Sequence, residues 1–263
     1  MGNLKRIGVI YTFFTRKLLR SKKTKLFILF SLIPLIIFLI INGAKLVGHE
    51  NLLSGNTFLK NGGVPFFFKL YVQLISLLFG AAVLSDEIDN KTLIYLNTSP
   101  VSKFTILTGK FASYLSVSFL SFMVGSSILF LATNFKNIFS SESISTLLQL
   151  EFTGLIAIIT YSSFFLLLGV SLKKSSIFGL LYIFGWETIT QVLPGAAQKF
   201  TIFYYLNSLS PIKISKERGF LNSSIVQQSF AEALITLIIL SALFFYISVY
   251  IFKRKEYLLA DHT

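Results

Sequence analysis

No cysteine occurs anywhere in the 263 residues, which excludes a disulfide, a thiolate metal site and a cysteine nucleophile. Histidine is nearly as scarce. The two present, His49 and His262, fall in a loop and a tail, so no imidazole is available within the apolar runs for a zinc site or a serine-type triad. An intramembrane enzyme would have to work with carboxylates alone, and no catalytic or metal site is expected. Acids number 11 against 24 lysines and arginines, and all charged residues together make up only 13%, where a soluble domain carries about 25%. The resulting net charge of +13 does not call for nucleic acid as a partner, because a basic excess in a multispanning protein is first explained by anchoring residues on its cytoplasmic side. A cleavable signal peptide is not expected either. The first long apolar run begins only near Leu26, after a basic segment too long for an ordinary leader.

What fills the chain instead is apolar: 54% hydrophobic and 16% aromatic residues, with a mean hydropathy of +0.73. Several runs approach or exceed the ~20 residues a helix needs to cross a bilayer, without the short alternating strands of a barrel. The expected fold is an all-α integral membrane protein, one domain over 1–263, with six transmembrane helices at about 26–44, 65–84, 111–132, 150–172, 176–193 and 230–252. Pro34 is expected to kink the first, and the Gly-rich stretch 45–64 reads as an external loop. Residues 1–25 carry eight cations and no acid, with Leu4, Ile7, Ile10 or Tyr11, Phe14 and Leu18 at helical spacing. This describes an amphipathic interfacial helix whose apolar stripe meets the acyl boundary and whose cations meet anionic headgroups of the bilayer. The third span is rich in serine, which favours close helix contact. Residues 196–229 form an external connection, with a re-entrant or interfacial helix near 198–206.

Six spans put both termini on one side. With the termini inside, sixteen lysines and arginines lie on the cytoplasmic side and seven outside, which orients the chain as a multi-pass protein of the cytoplasmic membrane with both termini cytoplasmic. Within the apolar region Glu187 stands out, since a buried carboxylate is costly and usually faces a cavity or a partner. With Trp186 and with Gln191 four residues on, it is a candidate for the wall of a substrate pathway or for a dimer interface. The alternative is that the fifth span ends near Trp186 and leaves Glu187 among headgroups.

The one long polar segment between apolar runs is 85–110. Its acids Asp86, Glu87 and Asp89 precede helix formers, and a helix starting at Ser85 would hold Asp86 and Glu87 in its first turn, with Ile88, Thr92, Tyr95 and Leu96 on one face. Ser99-Pro100 is a second helix start. Gly109-Lys110 is not the end of a phosphate loop, because that motif needs glycine at 104 and a hydroxyl at 111, where phenylalanine stands in both positions.

Asp86, Glu87, Thr92-Leu93, Leu96, the run Ser99-Pro100-Val101-Ser102-Lys103 and Gly109-Lys110, set between the second and third of six spans, resemble the membrane subunits of type-2 ATP-binding-cassette exporters. Leu209-Ser210-Pro211 adds a weaker likeness. The chain departs from that pattern at Lys91, where the family often has glycine, and at Lys103, commonly arginine. The resemblance implies that 85–110 is a cytoplasmic coupling segment docking on a separate ATPase subunit through Asp86, Glu87, Thr92, Leu93, Tyr95, Ser99, Pro100 and Lys103. It also implies two ATPase copies, a second permease copy in a homo- or heterodimer, and ATP with Mg²⁺ held on the ATPase, with no cofactor bound by this chain. Without the resemblance, the same charges read as a solvated loop that fixes topology. A self-sufficient secondary transporter or channel, or a non-transporting accessory or immunity protein, fits the composition as well.

Overall fold

The computed structural model describes residues 3–48, 51–89, 102–135, 140–172, 174–192, 195–212 and 228–254. Among these, every regular element is helical. The chain starts with α1 (Asn3–Leu19) and passes through Arg20-Ser21 into α2 (Lys22–Ser31) and α3 (Ile33–Val47). Ser21 caps α2 by accepting the Thr24 N–H at 3.2 Å. The kink expected at Pro34 is a break: Pro34 lies in the first turn of α3 and has no N–H to continue the ladder, so α2 closes at Leu32 and α3 restarts.

α4 covers residues 55–89 and is longer than the span expected at 65–84. It begins as Gly55–Phe58, widens into π turns at Leu59–Gly63 and Phe66–Tyr71, and runs on as Val72–Asp89. Gly62, Gly63 and Pro65 read as loop residues, yet the wide turns take them into the helix, and the expected external loop shrinks to the stretch before Gly55. α5 (Lys103–Thr133) and α6 (Ser141–Ser171) follow, each 31 residues long. α7, residues 175–192, combines Ser175–Leu180, a π segment Leu181–Glu187 and Thr188–Val192. A 3₁₀ turn (Gly195–Phe200), α8 (Ile202–Leu209) and α9 (Phe230–Arg254) complete the order.

Among the described residues, five helical stretches are long and apolar enough to cross a membrane: Lys22–Val47, Gly55–Ala81, Phe104–Thr133, Ser141–Ser171 and Phe230–Arg254. α7, where a sixth span was expected at 176–193, is not among them, because its second half carries Glu187, Thr188, Thr190 and Gln191. The stretches differ in position within the bundle. About two thirds of the most apolar window is buried in α4 and in α6, against 17% in α2–α3 and 22% in α9, so the first pair is central and the others are peripheral.

Between helices in lipid there is little hydrophobic driving force, and association rests on close packing and hydrogen bonds. Both are visible here. α4 packs most extensively on α6, at Gly80 and Gly169: a Cβ on Gly80 would lie 2.9 Å from the Ser162 carbonyl, and one on Gly169 would lie 3.2 Å from that of Ala81. The serines of α5 tie it to its neighbours. Ser113 donates to the Tyr11 carbonyl of α1 (3.0 Å), Ser116 accepts from the Tyr11 hydroxyl (3.1 Å), and Ser121 shares a 2.6 Å bond with the Tyr71 hydroxyl of α4. Around Tyr71 gather Phe27, Phe30, Phe66, Phe67 and Phe122 with ring centroids 5.8–6.5 Å away. Such aromatic contacts each add about 1 kcal/mol beyond burial.

Candidate functional site

The polar segment 85–110 is framed by the end of α4 and the start of α5. No proline or glycine interrupts the chain around Leu84 and Ser85, so the apolar helix runs straight through Asp86 and Glu87, as far as the description reaches at Asp89, instead of a new helix opening at Ser85. Thr92, Leu93, Tyr95, Ser99 and Pro100 lie outside the described residues. α5 starts at Lys103, with Ser102 as its cap: the Ser102 Oγ accepts the Thr105 N–H at 3.2 Å. The third span therefore begins as a helix eight residues before the expected position 111.

At the foot of this segment, three helices meet on Gly109-Lys110. A Cβ on Gly109 would lie 2.8 Å from the Ile10 side chain, so glycine lets α1 lie flush on α5. Lys110 is only 3% exposed. Its Nζ donates to the Val83 carbonyl of α4 at 3.2 Å and stands 4.7 Å above the Phe14 ring of α1. The ammonium thus bridges α1, α4 and α5, with the Val83 hydrogen bond and the Phe14 cation–π contact among its interactions. This packing also reverses the expected orientation of α1. Ile10, Tyr11, Phe14 and Leu18 face the bundle, not open lipid.

The second candidate site is built on Glu187. In a straight α-helix Tyr182 and Glu187 would point apart, but the π segment Leu181–Glu187 brings residues five apart onto one face. The Tyr182 hydroxyl donates to Glu187 Oε1 at 3.1 Å, and Thr188 Oγ1 donates to the carbonyl of Ile183, also five residues back. From α6, the Tyr161 hydroxyl donates to both carboxylate oxygens, at 2.7 and 2.8 Å. From α4, the Gln73 amide donates to Glu187 Oε2 and to the Tyr161 oxygen (3.0 Å). The start of α8, at Ile202 and Phe203, adjoins the cluster. Glu187 is 1% exposed and meets side-chain donors from α4, α6 and α7.

The cluster lies deep in the bundle. Tyr161 is about 15 Å along α6 from its Ser171 end, and Glu187 about 18 Å along α7 from Ser175, at roughly 1.5 Å per residue. The carboxylate is thus several helical turns from both of these ends. Trp186 points the other way and is 49% exposed. Gln191 belongs to the last turn of α7. The structure therefore turns Glu187 into the protomer and Trp186 out of it, on different faces of the helix. α8 runs from this cluster towards the N-terminal end of α6, where the Leu209 carbonyl accepts from Gln149 (3.2 Å) and Thr153 (3.3 Å).

Sequence reasoning singled out Glu187 and missed Gln73, Tyr161 and Tyr182. An amide within an apolar run was a readable signal for Gln73, whereas tyrosines in an aromatic-rich chain carried none. Glu151 is buried too: its Oε1 accepts from Ser126 (2.6 Å) and Ser127 (3.1 Å) of α5.

A family model described as ABC-2 family transporter protein matches residues 15–185, about two thirds of the chain, from the middle of α1 to the residue before Trp186. The match includes the whole of 85–110 and both Gln73 and Tyr161. No curated protein matches the chain.

Proposed function

The chain belongs to the ABC-2 family of transporter proteins, and from that premise we propose that it is the membrane-spanning subunit of an exporter, driven by two copies of a separate ATPase. The family is a permease component, so the membrane subunit is not itself the catalyst; ATP and Mg²⁺ belong on the partner. The docking element is 85–110, with Asp86, Glu87, Thr92, Leu93, Tyr95, Ser99, Pro100 and Lys103 as its contacts. The observation that carries this reading is the Lys110 joint. A push on 85–110 arrives where α1, α4 and α5 are fastened to one another, so it is delivered to three helices at once. Two permease copies complete the pathway. The outer face of α7, with Phe184, Trp186 and Ile189 about half exposed, is the surface for that pairing, while Glu187 holds the helix from behind. Residues 195–209 re-enter the membrane from outside, which agrees with α8 starting beside Glu187.

The test is co-purification of a soluble ATPase with the chain, and stimulation of that ATPase in liposomes. Charge reversal at Asp86 and Glu87 is expected to release the ATPase while leaving the permease folded. Retention of the ATPase by that variant would sink the coupling assignment. A second reading, an ion-coupled transporter working alone, is favoured by one observation, the carboxylate buried deep in the bundle with its tyrosine donors. Sustained transport in liposomes without any ATPase would establish it over the first.

A further inference from the structure

Two carboxylates are buried among the described residues, and they are satisfied differently. Glu187 meets two phenols and an amide, which reach both of its oxygens. Glu151 of α6, 8% exposed, is served on one oxygen only. Its Oε1 takes the hydroxyls of Ser126 and Ser127 of α5, while no protein donor among the described residues reaches Oε2, which is itself shut off from solvent. Even the supply to Oε1 is short. The Ser126 hydroxyl has one proton and two acceptors within reach, Oε1 and the Phe122 carbonyl at 2.8 Å. No cation on these two helices makes up the difference: α6 has no lysine or arginine, and those of α5, Lys103 and Lys110, stand at its other end. Nor is this a frayed terminus. Glu151 is about 15 Å along α6 from Ser141, and Gly154, three residues on, lets the Phe122 ring lie flush against α6.

We propose that Glu151, with the hydroxyls of Ser126 and Ser127, is a binding site for a sodium ion set into the seam between α5 and α6. A buried carboxylate needs a compensating charge as well as hydrogen-bond partners, and an ion on Oε2 supplies both at once. The groups available are all hard oxygens: the two carboxylate oxygens and the lone pairs that the serine hydroxyls keep after donating. One carboxylate matches a single positive charge. Among the described residues no group of three acidic or histidine side chains gathers to hold a divalent ion. A proton would neutralise the charge without supplying Oε2 with a donor. Held between Ser126, Ser127 and Glu151, the ion fastens α5 to α6. Gln149 and Thr153, two residues to either side of Glu151, hold the Leu209 carbonyl, so the ion is bound at the level where α8 ends. The inference does not rest on the exporter reading and is tested without any ATPase.

The full chain, purified in detergent without sodium, is titrated with radioactive sodium chloride against choline chloride at constant ionic strength, and its melting temperature is followed in parallel. Saturable retention of a single ion is expected. The melting temperature should rise by about 3–6 °C once sodium exceeds its dissociation constant roughly tenfold. Glu151→Gln should abolish both effects, and Ser127→Ala should weaken sodium retention about tenfold. Glu232→Gln, which removes an exposed acid, should leave both intact. Absence of saturable sodium retention by the unmodified chain overturns the proposal, and does so whether or not any variant folds. So does a Glu151→Gln variant that melts cooperatively and still retains sodium. A melting temperature that follows pH and ignores sodium would assign the site a proton and also overturn it.

Discussion

Glu187 accepts hydrogen bonds from the side chains around it: two phenols and an amide. Truncation removes the common acceptor and orphans all of them in a dry interior, at about 1–3 kcal/mol for each unsatisfied group. Interhelical hydrogen bonds in membranes average only about 0.6 kcal/mol, but that figure describes a pair in exchange with other partners, not donors left facing nothing. Glu187→Ala is accordingly expected to lower stability by about 3 kcal/mol, read as a clear fall in melting temperature in detergent. Glutamine keeps the shape and one acceptor. Its amide can donate to the Tyr161 oxygen if the Gln73 amide turns over, so Glu187→Gln should cost about 1 kcal/mol. If the carboxylate serves transport beyond this bracing, the glutamine variant will fold and yet transport less. Transport equal to the parent at equal membrane abundance would confine Glu187 to a structural role. The residue was legible in the sequence because a carboxylate is rare in an apolar run. Its partners were not, since Tyr182 stands five positions away and a regular helix would have put it on another face.

That spacing belongs to the element. A π segment arises when one extra residue widens a turn, and removing one residue restores the α register and rotates everything beyond it by about 100°. Gly185 lies inside Leu181–Glu187 with no neighbour within 4 Å of where a Cβ would stand, so its deletion tests the register without breaking a packing contact. The deletion is expected to swing Glu187 out of the cluster and destabilise the chain about as much as Glu187→Ala, and combining the two changes should add little. Additive losses in the double variant would show that the π turn does not serve the carboxylate. At the other end of the molecule Gly109→Leu should force α1 off α5, at about 1–3 kcal/mol for overpacking. In an ATPase-stimulation assay it should uncouple before it unfolds, as should Lys110→Met, which keeps the stem and loses the bridging charge. Helix existence was readable here from apolar length alone. Boundaries were not: Gly62, Gly63 and Pro65 are turn residues by composition, and only the tertiary packing of α4 makes them helical. The same limit applies at Asp86 and Glu87, which suit a first turn by charge but continue α4 because nothing before them stops the helix.

At the scale of the whole molecule, the remaining question is how often the chain crosses, and the sequence offers an unusual handle on it. With no native cysteine, any single cysteine introduced reports alone. Charge counting places Lys174 and Lys253 on the cytoplasmic side and Lys60 and Lys199 outside, and the structure gives each an exposed position near a helix end. α7 is the uncertain crossing by composition, since polar residues fill its second half. Its eighteen residues nonetheless extend about 27 Å, close to the thickness of a hydrocarbon core, and Glu187 is buried among protein hydrogen-bond donors instead of facing lipid. A crossing is therefore affordable. Replacing Lys174 and Lys199 one at a time by cysteine, and treating intact cells with an impermeant maleimide, separates the cases. Labelling at 199 but not at 174, with 60 labelled and 253 protected, is the expected pattern for six crossings and cytoplasmic termini. Labelling of both or neither of 174 and 199 would mean that α7 does not cross, and the polar cluster would then have to be reached from one side only. The inverse of the whole pattern would reverse the orientation and move 85–110 away from any cytoplasmic ATPase.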